Sequence, residues 1–191
     1  MSFIAFIPAR KGSIRLKNKN FKILKNKPLI YYSLKAALKC KYISEVHIFS
    51  DSKKINDYAK KMGALNLVSR PKSISGSKVT MHETLNYFVK KYKLKSSKFK
   101  YLVLLQPTSP QRTVDDLNKA CKKILSDKKA DSLVSSYELN DFFPNKIMVL
   151  NGKYLELNKN KFFKKNKGVY YRNGPSVLIT KIKNITKKKC L

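Results

Sequence analysis

Short apolar runs of strand length alternate with helix-patterned segments along this chain, and this alternation restricts its fold more than any other feature. Phe3–Pro8 (FIAFIP) and residues 101–105 (YLVLL) are almost wholly apolar, as strands buried on both faces of a sheet are. Further strands are predicted at residues 46–49, 65–68, 132–137 and 176–180. The alternation predicts an α/β fold whose mostly parallel sheet carries helices on both faces.

The helices between these strands are predicted from their first turns and their apolar periodicity. Pro28 is predicted in the first turn of one helix, and two others begin at capping boxes that pair Thr80 with Glu83 and Thr113 with Asp116. Each helix has one apolar face to bury against the sheet. The predicted inward-facing residues are Ile30, Leu34, Ala37 and Leu38; Ile55, Tyr58, Ala59 and Met62; Leu85, Phe88, Val89 and Tyr92; and Leu117, Ala120, Cys121, Ile124 and Leu125.

The alternation is interrupted between residues 140 and 172. This region is rich in asparagine and lysine and has two short β-like patches, at residues 146–150 and 153–157. Neither a composition shift nor a linker divides the remaining sequence. Residues 1–191 are therefore predicted to form one domain, with residues 140–172 as a small irregular β excursion from it.

The formal net charge of +32 raises nucleic-acid binding as a function. The lysines are spread through nearly every segment, and the sequence contains neither zinc-finger spacings nor the aromatic signatures of RNA-recognition domains. A chain-wide preference for lysine, asparagine and isoleucine gives the same composition. We therefore expect salt-sensitive attraction to polyanions rather than a specific nucleic-acid partner. A cationic nucleic-acid-binding protein stays open as the less favoured alternative.

The cysteines and the amino-terminal segment indicate the compartment. Cys40, Cys121 and Cys190 are odd in number and far apart, which favours reduced thiols over disulfides or a zinc site. The opening MSFIAFIPAR has a short apolar run with its basic residue behind it, unlike a signal peptide. No stretch approaches the ~20 apolar residues of a membrane span. We expect a cytoplasmic protein.

Arginine is scarce in this basic chain, and its positions are informative. Only five of the 43 basic residues are arginine, and each stands beside a glycine, proline or asparagine turn signal. A guanidinium group binds phosphate or carboxylate through two parallel hydrogen bonds, which lysine cannot do. Anion binding is therefore the favoured interpretation of these arginines. The alternative is that five arginines remain by chance in a lysine-rich chain. The five residues are Arg10, Arg15, Arg70, Arg112 and Arg172.

Ligands of open α/β sheets bind beyond the carboxyl ends of the strands. The loops that qualify here are residues 9–20, 70–80 and 106–112. In the first loop, Gly12 lets the backbone approach an anion, Ser13 offers a hydroxyl group, and Arg10, Arg15 and Lys19 offer cations. This combination favours a polyphosphate ligand, with a solvated basic loop as the alternative. The spacing matches neither the Walker A motif nor the dinucleotide-binding G-x-G-x-x-G.

The opening loop reads A-R-x-G-S-x-R-x-x-x-K-N, and four further motifs follow it in order: SD at 50–51, RP at 70–71, LLQPTSPxRT at 104–113 and NG at 173–174. In these motifs the chain resembles the acylneuraminate cytidylyltransferases, or CMP-sialic acid synthetases. The resemblance implies a Rossmann-like nucleotidyltransferase that joins CTP to a nonulosonic, sialic-type sugar acid and releases pyrophosphate. It also implies a Mg²⁺-dependent homodimer that pairs through residues 140–172, the excursion that also shapes the sugar pocket.

The resemblance also implies roles for individual residues. Arg10 and Lys19 are the candidate catalytic cations, because charge builds up on the phosphate oxygens during phosphoryl transfer. Gln106 and Asn173 are the candidate contacts for the sugar acid. The candidate nucleotide-binding residues are Arg10, Gly12, Ser13, Arg15, Lys19, Asn20, Arg70 and Gln106.

Three departures separate the chain from the family pattern. Ser77 stands where an acidic residue is usual, and Lys164 and Lys165 stand where an arginine–glutamine pair is expected. The final KIKNITKKKCL lacks the S-x-D-I-D segment whose aspartates ligate magnesium in the family. The metal ligands are therefore unassigned, with Asp51 as the one candidate. A truncated gene, a divergent enzyme and a catalytically inactive nucleotide- or sugar-binding relative all stay open.

Some polar residues are expected to be structural rather than catalytic. Ser50 and Asp51 follow a predicted strand and precede a helix, where a capping role is favoured. His47 is expected to pack on its strand, and His82 to lie in the first turn of a helix.

Overall fold

A seven-stranded sheet organises the chain in the computed structural model, which describes residues 3–12, 16–66, 69–138, 147–157 and 170–186. A separate two-stranded sheet pairs β2 with β3. The strands are β1 (Phe3–Pro8), β2 (Ile23–Leu24), β3 (Lys27–Pro28), β4 (Ile43–Phe49), β5 (Tyr101–Leu104), β6 (Ser132–Glu138), β7 (Ile147–Asn151), β8 (Tyr154–Leu157) and β9 (Tyr170–Lys181). The helices are α1 (Leu29–Lys39), α2 (Lys53–Lys61), α3 (Met81–Lys91), α4 (Val114–Ser126) and α5 (Ile182–Ile185), and short 3₁₀ turns lie at Lys19–Phe21, Lys72–Ile74 and Leu94–Ser96.

β1 lies at the centre of the parallel part of the sheet. It pairs in parallel with β4 on one side and with β5 on the other, so that Ala5 lies between Val46 and Val103. β9 then runs antiparallel beside β5, and β6 pairs antiparallel with β9 and so shares the direction of β1, β4 and β5. The predicted mostly parallel α/β sheet is confirmed, with β9 as its reversed strand.

Of the predicted strand at residues 65–68, Leu65 forms an isolated parallel bridge with β4. Leu65 donates its N–H to the carbonyl oxygen of Val46 at 2.7 Å and accepts from the N–H of Ile48 at 2.9 Å. Leu65 is thus the residue of this segment that continues the ladder of β4. Residues 67 and 68 lie outside the described residues. The β-like patches predicted in the excursion are β7 and β8, and they form an antiparallel pair.

Alternate residues of β1 pack on opposite faces of the sheet. Phe3, Ala5 and Ile7 belong to a buried cluster with α1, α2 and α4, whereas Ile4 and Phe6 belong to a second cluster with α3 and α5. This arrangement confirms the prediction of helices on both faces. It also explains why the sequence of β1 is continuously apolar rather than alternating.

Both predicted capping boxes are present. Thr80 Oγ1 accepts from the N–H of Glu83 at 3.2 Å, and the Glu83 carboxylate accepts from the N–H of Thr80 at 2.7 Å. Thr113 and Asp116 make the equivalent bonds at the start of α4, at 3.1 and 2.8 Å. These N–H donors lower the pKa of both carboxyl groups below the usual values.

Among the residues that the structure describes, none of the helices is long and apolar enough to cross a membrane.

Two predicted inward-facing residues are wrong. Leu38 at the end of α1 is 37% exposed, and Leu125 at the end of α4 is 44% exposed. The helical period turns both side chains away from the sheet, and in α1 the buried positions include Ser33 and Ala36 instead. The buried face of α1 is therefore partly polar, which the apolar pattern alone does not predict.

The orientation of α1 is testable with two leucine truncations in one helix. Leu34→Ala is expected to lower the free energy of unfolding by about 2–5 kcal/mol, because Leu34 is fully buried and its loss leaves a cavity. Leu38→Ala removes the same atoms from a partly exposed side chain, and the expected loss is below about 1 kcal/mol. Urea denaturation followed by circular dichroism measures both. Equal losses would contradict this orientation.

Candidate functional site

Three loops meet at the carboxyl ends of the parallel strands and enclose a cavity of about 510 Å³. Arg10 and Lys19 come from the loop after β1, Arg70 from the segment after α2, and Gln106 from the loop after β5. Asn20 also lines this cavity. The structure therefore brings five of the predicted site residues together, from segments that are far apart in the sequence.

The loop after β1 is held by hydrogen bonds to the end of β4. Ala9 donates its N–H to the carbonyl oxygen of Phe49 at 3.0 Å, and Ser50 Oγ donates to the carbonyl oxygen of Ala9. Asp51 Oδ1 accepts from the N–H of Lys11 at 2.7 Å. The expectation that Ser50 and Asp51 cap the next helix is wrong, because Ser52 is the N-cap residue of α2. The side chains of Ser50 and Asp51 instead bond to the loop after β1.

Asn20 closes the same loop from its other end. Its side chain is almost buried, with the residue 5% exposed, and Nδ2 donates to the carbonyl oxygen of Arg10 at 3.2 Å. The 3₁₀ turn at Lys19–Phe21 places the half-buried Lys19 beside it on the cavity wall. Arg10 and Lys19 thus lie on one wall of the cavity, on a loop whose backbone is anchored at both ends.

Arg70 is a largely buried part of the cavity wall and holds its own loop. Its Nε and Nη2 atoms both donate to the carbonyl oxygen of Ile74, at 3.0 and 2.7 Å, and Nη2 also lies 3.4 Å from Thr84 Oγ1. The guanidinium carbon lies 5.9 Å from the ring centroid of Phe49. Burial lowers the pKa of Arg70, and the nearby Asp51 opposes that shift. The fork of Arg70 therefore shapes the 70–80 loop while the residue lines the cavity.

Gln106 is half-buried at the end of β5 and lines the cavity together with Pro107 and Thr108. Arg112 comes from the same motif but is not part of that lining. The interpretation that its fork serves anion binding is wrong, because Arg112 donates to the carbonyl oxygens of Gln106 and Ser176 and to Ser33 Oγ. The motif thus divides into a cavity-facing part and a buried part.

The remaining predicted site residues do not line this cavity or lie outside the described residues. Gly12 is exposed, and a Cβ atom built on it meets no other atom within 4 Å, so the fold itself does not require glycine there. Asn173 lies on β9 and pairs with Ser136. Ser13 and Arg15 lie outside the described residues, as do Lys164, Lys165 and residues 187–191.

A second cavity of about 510 Å³ adjoins the first and shares Arg10 and Asn20 with it. Asp51, Lys53 and Lys54 contribute to its wall. Within the described ranges no group of three or more histidine, cysteine or acidic residues is placed to hold a metal ion. Mg²⁺ is commonly held by one or two carboxylates together with substrate phosphates and water. Among the described residues that line the two cavities, Asp51 is the one carboxylate, and it fits that limited role.

Sequence reasoning missed the wall that α3 contributes. Met81 and Thr84, in the first turn of α3, and Val79 just before it line the cavity. The capping box predicted where α3 begins, but not that this end of the helix faces the ends of β1 and β5. The link between the RP motif and this wall is a tertiary contact, between Arg70 and Thr84, which no local pattern in the sequence indicates.

The two histidines lie where the sequence predicted them. His47 is fully buried on β4, where Nε2 lies 3.0 Å from Glu45 Oε2 and the ring packs against Phe88 and Tyr92. Burial lowers its pKa. His82 lies in the first turn of α3, with Nε2 2.8 Å from Asn86 Nδ2.

Comparison with known proteins supports the resemblance noted in the sequence. The family model described as "Cytidylyltransferase" matches residues 4–188. An N-acylneuraminate cytidylyltransferase of Escherichia coli is 33% identical over 132 residues, which cover 69% of this chain and 30% of the relative. A CMP-N,N'-diacetyllegionaminic acid synthase of Legionella pneumophila is 35% identical over 120 residues, covering 63% of this chain and 52% of the relative. The chain thus spans about a third to about half the length of these relatives.

Solved structures support the fold. The structure of a CMP:2-keto-3-deoxy-manno-octonic acid synthetase complexed with CTP superposes with a TM-score of 0.75 at 16% identity, covering 97% of this chain and 76% of that one. A cytidylyltransferase from Leptospira borgpetersenii superposes with a TM-score of 0.57 at 16% identity, covering 100% and 66%. Both confirm a Rossmann-like nucleotidyltransferase fold. With a family model matched over almost its whole length, the chain belongs to the cytidylyltransferase family.

Proposed function

We propose that the chain transfers CMP from CTP to a nonulosonic, sialic-type sugar acid and releases pyrophosphate. The observation that carries this proposal is the shared cavity, in which Arg10, Lys19, Arg70 and Gln106 meet at the carboxyl edge of the sheet. This is the edge at which open α/β sheets bind ligands. The relatives support the choice of acceptor, because their names specify N-acylneuraminate and diacetyllegionaminic acid.

In the proposed reaction, the anomeric hydroxyl oxygen of the sugar acid forms a bond to the α-phosphorus of CTP. The bond from that phosphorus to the bridging oxygen breaks, pyrophosphate leaves with the electron pair, and the hydroxyl proton passes to solvent. Negative charge spreads over the phosphate oxygens during the transfer, and fixed cations stabilise it. Arg10 and Lys19 are the proposed catalytic cations, since both line the cavity on a loop held by hydrogen bonds.

The other assignments follow the same division of the site. Gly12, Ser13, Arg15 and Asn20 are proposed to bind the triphosphate and ribose with the catalytic cations. Arg70 is proposed to lie beside the cytosine, Gln106 to contact the nucleotide or the sugar acid, and Asn173 to contact the sugar acid. The half-buried position of Gln106 beside Pro107 and Thr108 supports its role.

Mg²⁺ is the proposed metal, and Asp51 is the residue that would hold it together with phosphate oxygens. When bound, the ion would neutralise part of the triphosphate charge. Asp51 is already oriented by the N–H of Lys11 at 2.7 Å, which supports this assignment. The chain's own contribution is to keep one carboxylate beside a cationic loop.

The wider assignments are proposals as well. Residues 1–191 are proposed to act as one domain in a homodimer that pairs through residues 140–172, of which β7, β8 and the start of β9 are described. A cytoplasmic location is supported by the free, buried thiols of Cys40 and Cys121. We propose CTP and the sugar acid as ligands, without a specific nucleic-acid partner.

A catalytically inactive nucleotide-binding relative is the second candidate. It is favoured by the sparse metal donors, since the described part of the chain offers no cluster of three ligands. The nucleotide cavity would then bind CTP without turnover. The two candidates differ in a single measurable property, the release of pyrophosphate.

Pyrophosphate release separates the candidates directly. The whole chain is incubated with CTP, Mg²⁺ and a panel of nonulosonic acids, and CTP binding is measured by calorimetry in parallel. We expect binding together with release for at least one acid. Binding without release for every acid would favour the inactive relative. Failure to bind CTP, with a nucleic-acid complex that resists high salt, would contradict both.

Removal of Arg10 tests its proposed catalytic role. Arg10→Lys keeps the charge and loses the fork, and Arg10→Met loses both. A charge-assisted hydrogen bond is worth ~1.5–3 kcal/mol, so Arg10→Met is expected to lower kcat/KM by one to two decades, and Arg10→Lys by less. Lys17→Met is the matched control, because Lys17 is an exposed cation of the same loop. Equal losses in the control and in Arg10→Met would point to general charge rather than to a site.

Gly12→Ala tests whether a ligand approaches the backbone of the first loop. A Cβ atom there meets no protein atom within 4 Å, so the free energy of unfolding should change by less than about 1 kcal/mol. If the triphosphate contacts this backbone, the methyl group should weaken CTP binding about tenfold. Gly152→Ala is the converse control, because Gly152 has φ +58° between β7 and β8. That change should lower stability and leave CTP affinity unaltered. Unchanged affinity in Gly12→Ala would remove Gly12 from the site.

A further inference from the structure

Arg112 is a buried cation at the junction of three elements. The residue is 5% exposed, and its guanidinium group donates to the carbonyl oxygen of Gln106 at 2.9 Å and to Ser33 Oγ at 3.0 Å. Nε donates to the carbonyl oxygen of Ser176. One side chain thus joins the loop after β5, the buried face of α1 and the strand β9.

The ion pairs of the described residues do not include Arg112. Burial lowers its pKa to about 10, and the charge of Asp116 opposes that shift only in part. Removing a cation from water without a paired carboxylate is unfavourable, and hydrogen bonds to carbonyl oxygens offset the cost. A hydrophobic side chain of similar size would fill the same space without that cost. The guanidinium therefore needs a reason beyond filling space.

The carbonyl oxygen of Gln106 provides that reason. It accepts from Arg112 Nη2 at 2.9 Å, from the N–H of Ser109 at 3.3 Å and from Ser33 Oγ at 3.4 Å. The N–H of Arg112 in turn donates to the carbonyl oxygen of Ser109 at 3.4 Å. These hydrogen bonds hold the peptide group of Gln106 in place and so restrict the position of its Cα atom. The side chain that extends from this atom lines the cavity.

We propose that Arg112 is a positioning residue, which holds the Gln106 backbone against α1 and β9 and so sets the side chain of Gln106 at the wall of the nucleotide cavity. Arg112 contacts neither the nucleotide nor the sugar acid in this role. The expected effect on catalysis rests on the proposed function. The expected effect on the position of Gln106 rests on the ligand-free structure alone.

Lysine cannot replace Arg112 in this role. The acceptors on Gln106, Ser33 and Ser176 lie around a planar group that presents separate N–H donors in fixed directions. A single ammonium group on a flexible stem keeps the charge but not this geometry. We therefore expect Arg112→Lys to behave more like Arg112→Met than like the unaltered protein.

Lys181→Met is the matched control. Lys181 is 8% exposed, and its ammonium group donates to Asp131 Oδ1 at 2.9 Å and to the carbonyl oxygen of Lys128 at 3.3 Å. On β9, Lys181 is the strand partner of Tyr101, the first residue of β5. It therefore lies at the opposite edge of the sheet from the cavity. The control therefore removes a buried, hydrogen-bonded cation without touching the site.

Amide hydrogen exchange of residues 105–111 in the ligand-free chain is the first measurement. We expect severalfold faster exchange in Arg112→Lys and Arg112→Met, and an unaltered rate in Lys181→Met. Ser33→Ala removes one donor and is expected to give a smaller increase, which keeps the test available if the Arg112 variants do not fold. Unaltered exchange in Ser33→Ala and in every folded Arg112 variant would overturn the proposal.

Steady-state pyrophosphate release is the second measurement. In Arg112→Lys, kcat/KM is expected to fall by about ten- to a hundredfold, as misplacement of a binding group does. An equal fall in Lys181→Met would show loss of stability alone and overturn the positioning role. If the unaltered chain neither binds CTP nor releases pyrophosphate, the proposed function fails, while the exchange measurement still decides the role of Arg112.

Discussion

The parallel pairing of β1 with both β4 and β5 is the constraint on which the candidate site depends. Strands that run the same way end at the same edge of a sheet, so segments about 40 residues or more apart in the chain are brought side by side. The backbone ladder continues past the strands, since Leu105 donates to Phe6 at 3.0 Å and Ala9 donates to Phe49 at 3.0 Å. The roots of the loops are therefore fixed by main-chain bonds before any side chain contributes.

Within that frame, the arginines serve two different purposes. Arg70 and Arg112 are buried and direct their N–H groups at backbone carbonyl oxygens, whereas the half-buried Arg10 lines both cavities. A guanidinium group suits both uses, because its donors point in fixed directions whether the acceptor is a phosphate or a peptide carbonyl. The scarcity of arginine in the sequence thus indicates positions where direction matters, and only the fold distinguishes binding from bracing.

The sequence predicted what depends on local pattern and missed what depends on tertiary contacts. The buried strand β1 and the capping boxes at Thr80 and Thr113 were predicted because composition and spacing determine them locally. The exposure of Leu38 was missed because the apolar pattern did not predict that α1 buries Ser33 and Ala36 instead. The role of Asp51 was missed because its partner, the N–H of Lys11, is 40 residues away. The cavity-lining residues could be predicted where a sequence motif marks their loop. They could not be predicted where a helix such as α3 supplies the wall.

The high net charge bears on the site less than its size suggests. Charges at an exposed surface are screened over about 8 Å at physiological ionic strength, so most of the lysines act on a ligand only as a diffuse attraction. Arg10 and Lys19 differ because they are half-buried, and Asn20 ties their loop together with a hydrogen bond to the Arg10 carbonyl oxygen. A cation that is already fixed costs little reorganisation when charge develops on a phosphate. What separates this cavity from the basic background is therefore the convergence of half-buried cations on an anchored loop and not the number of charges.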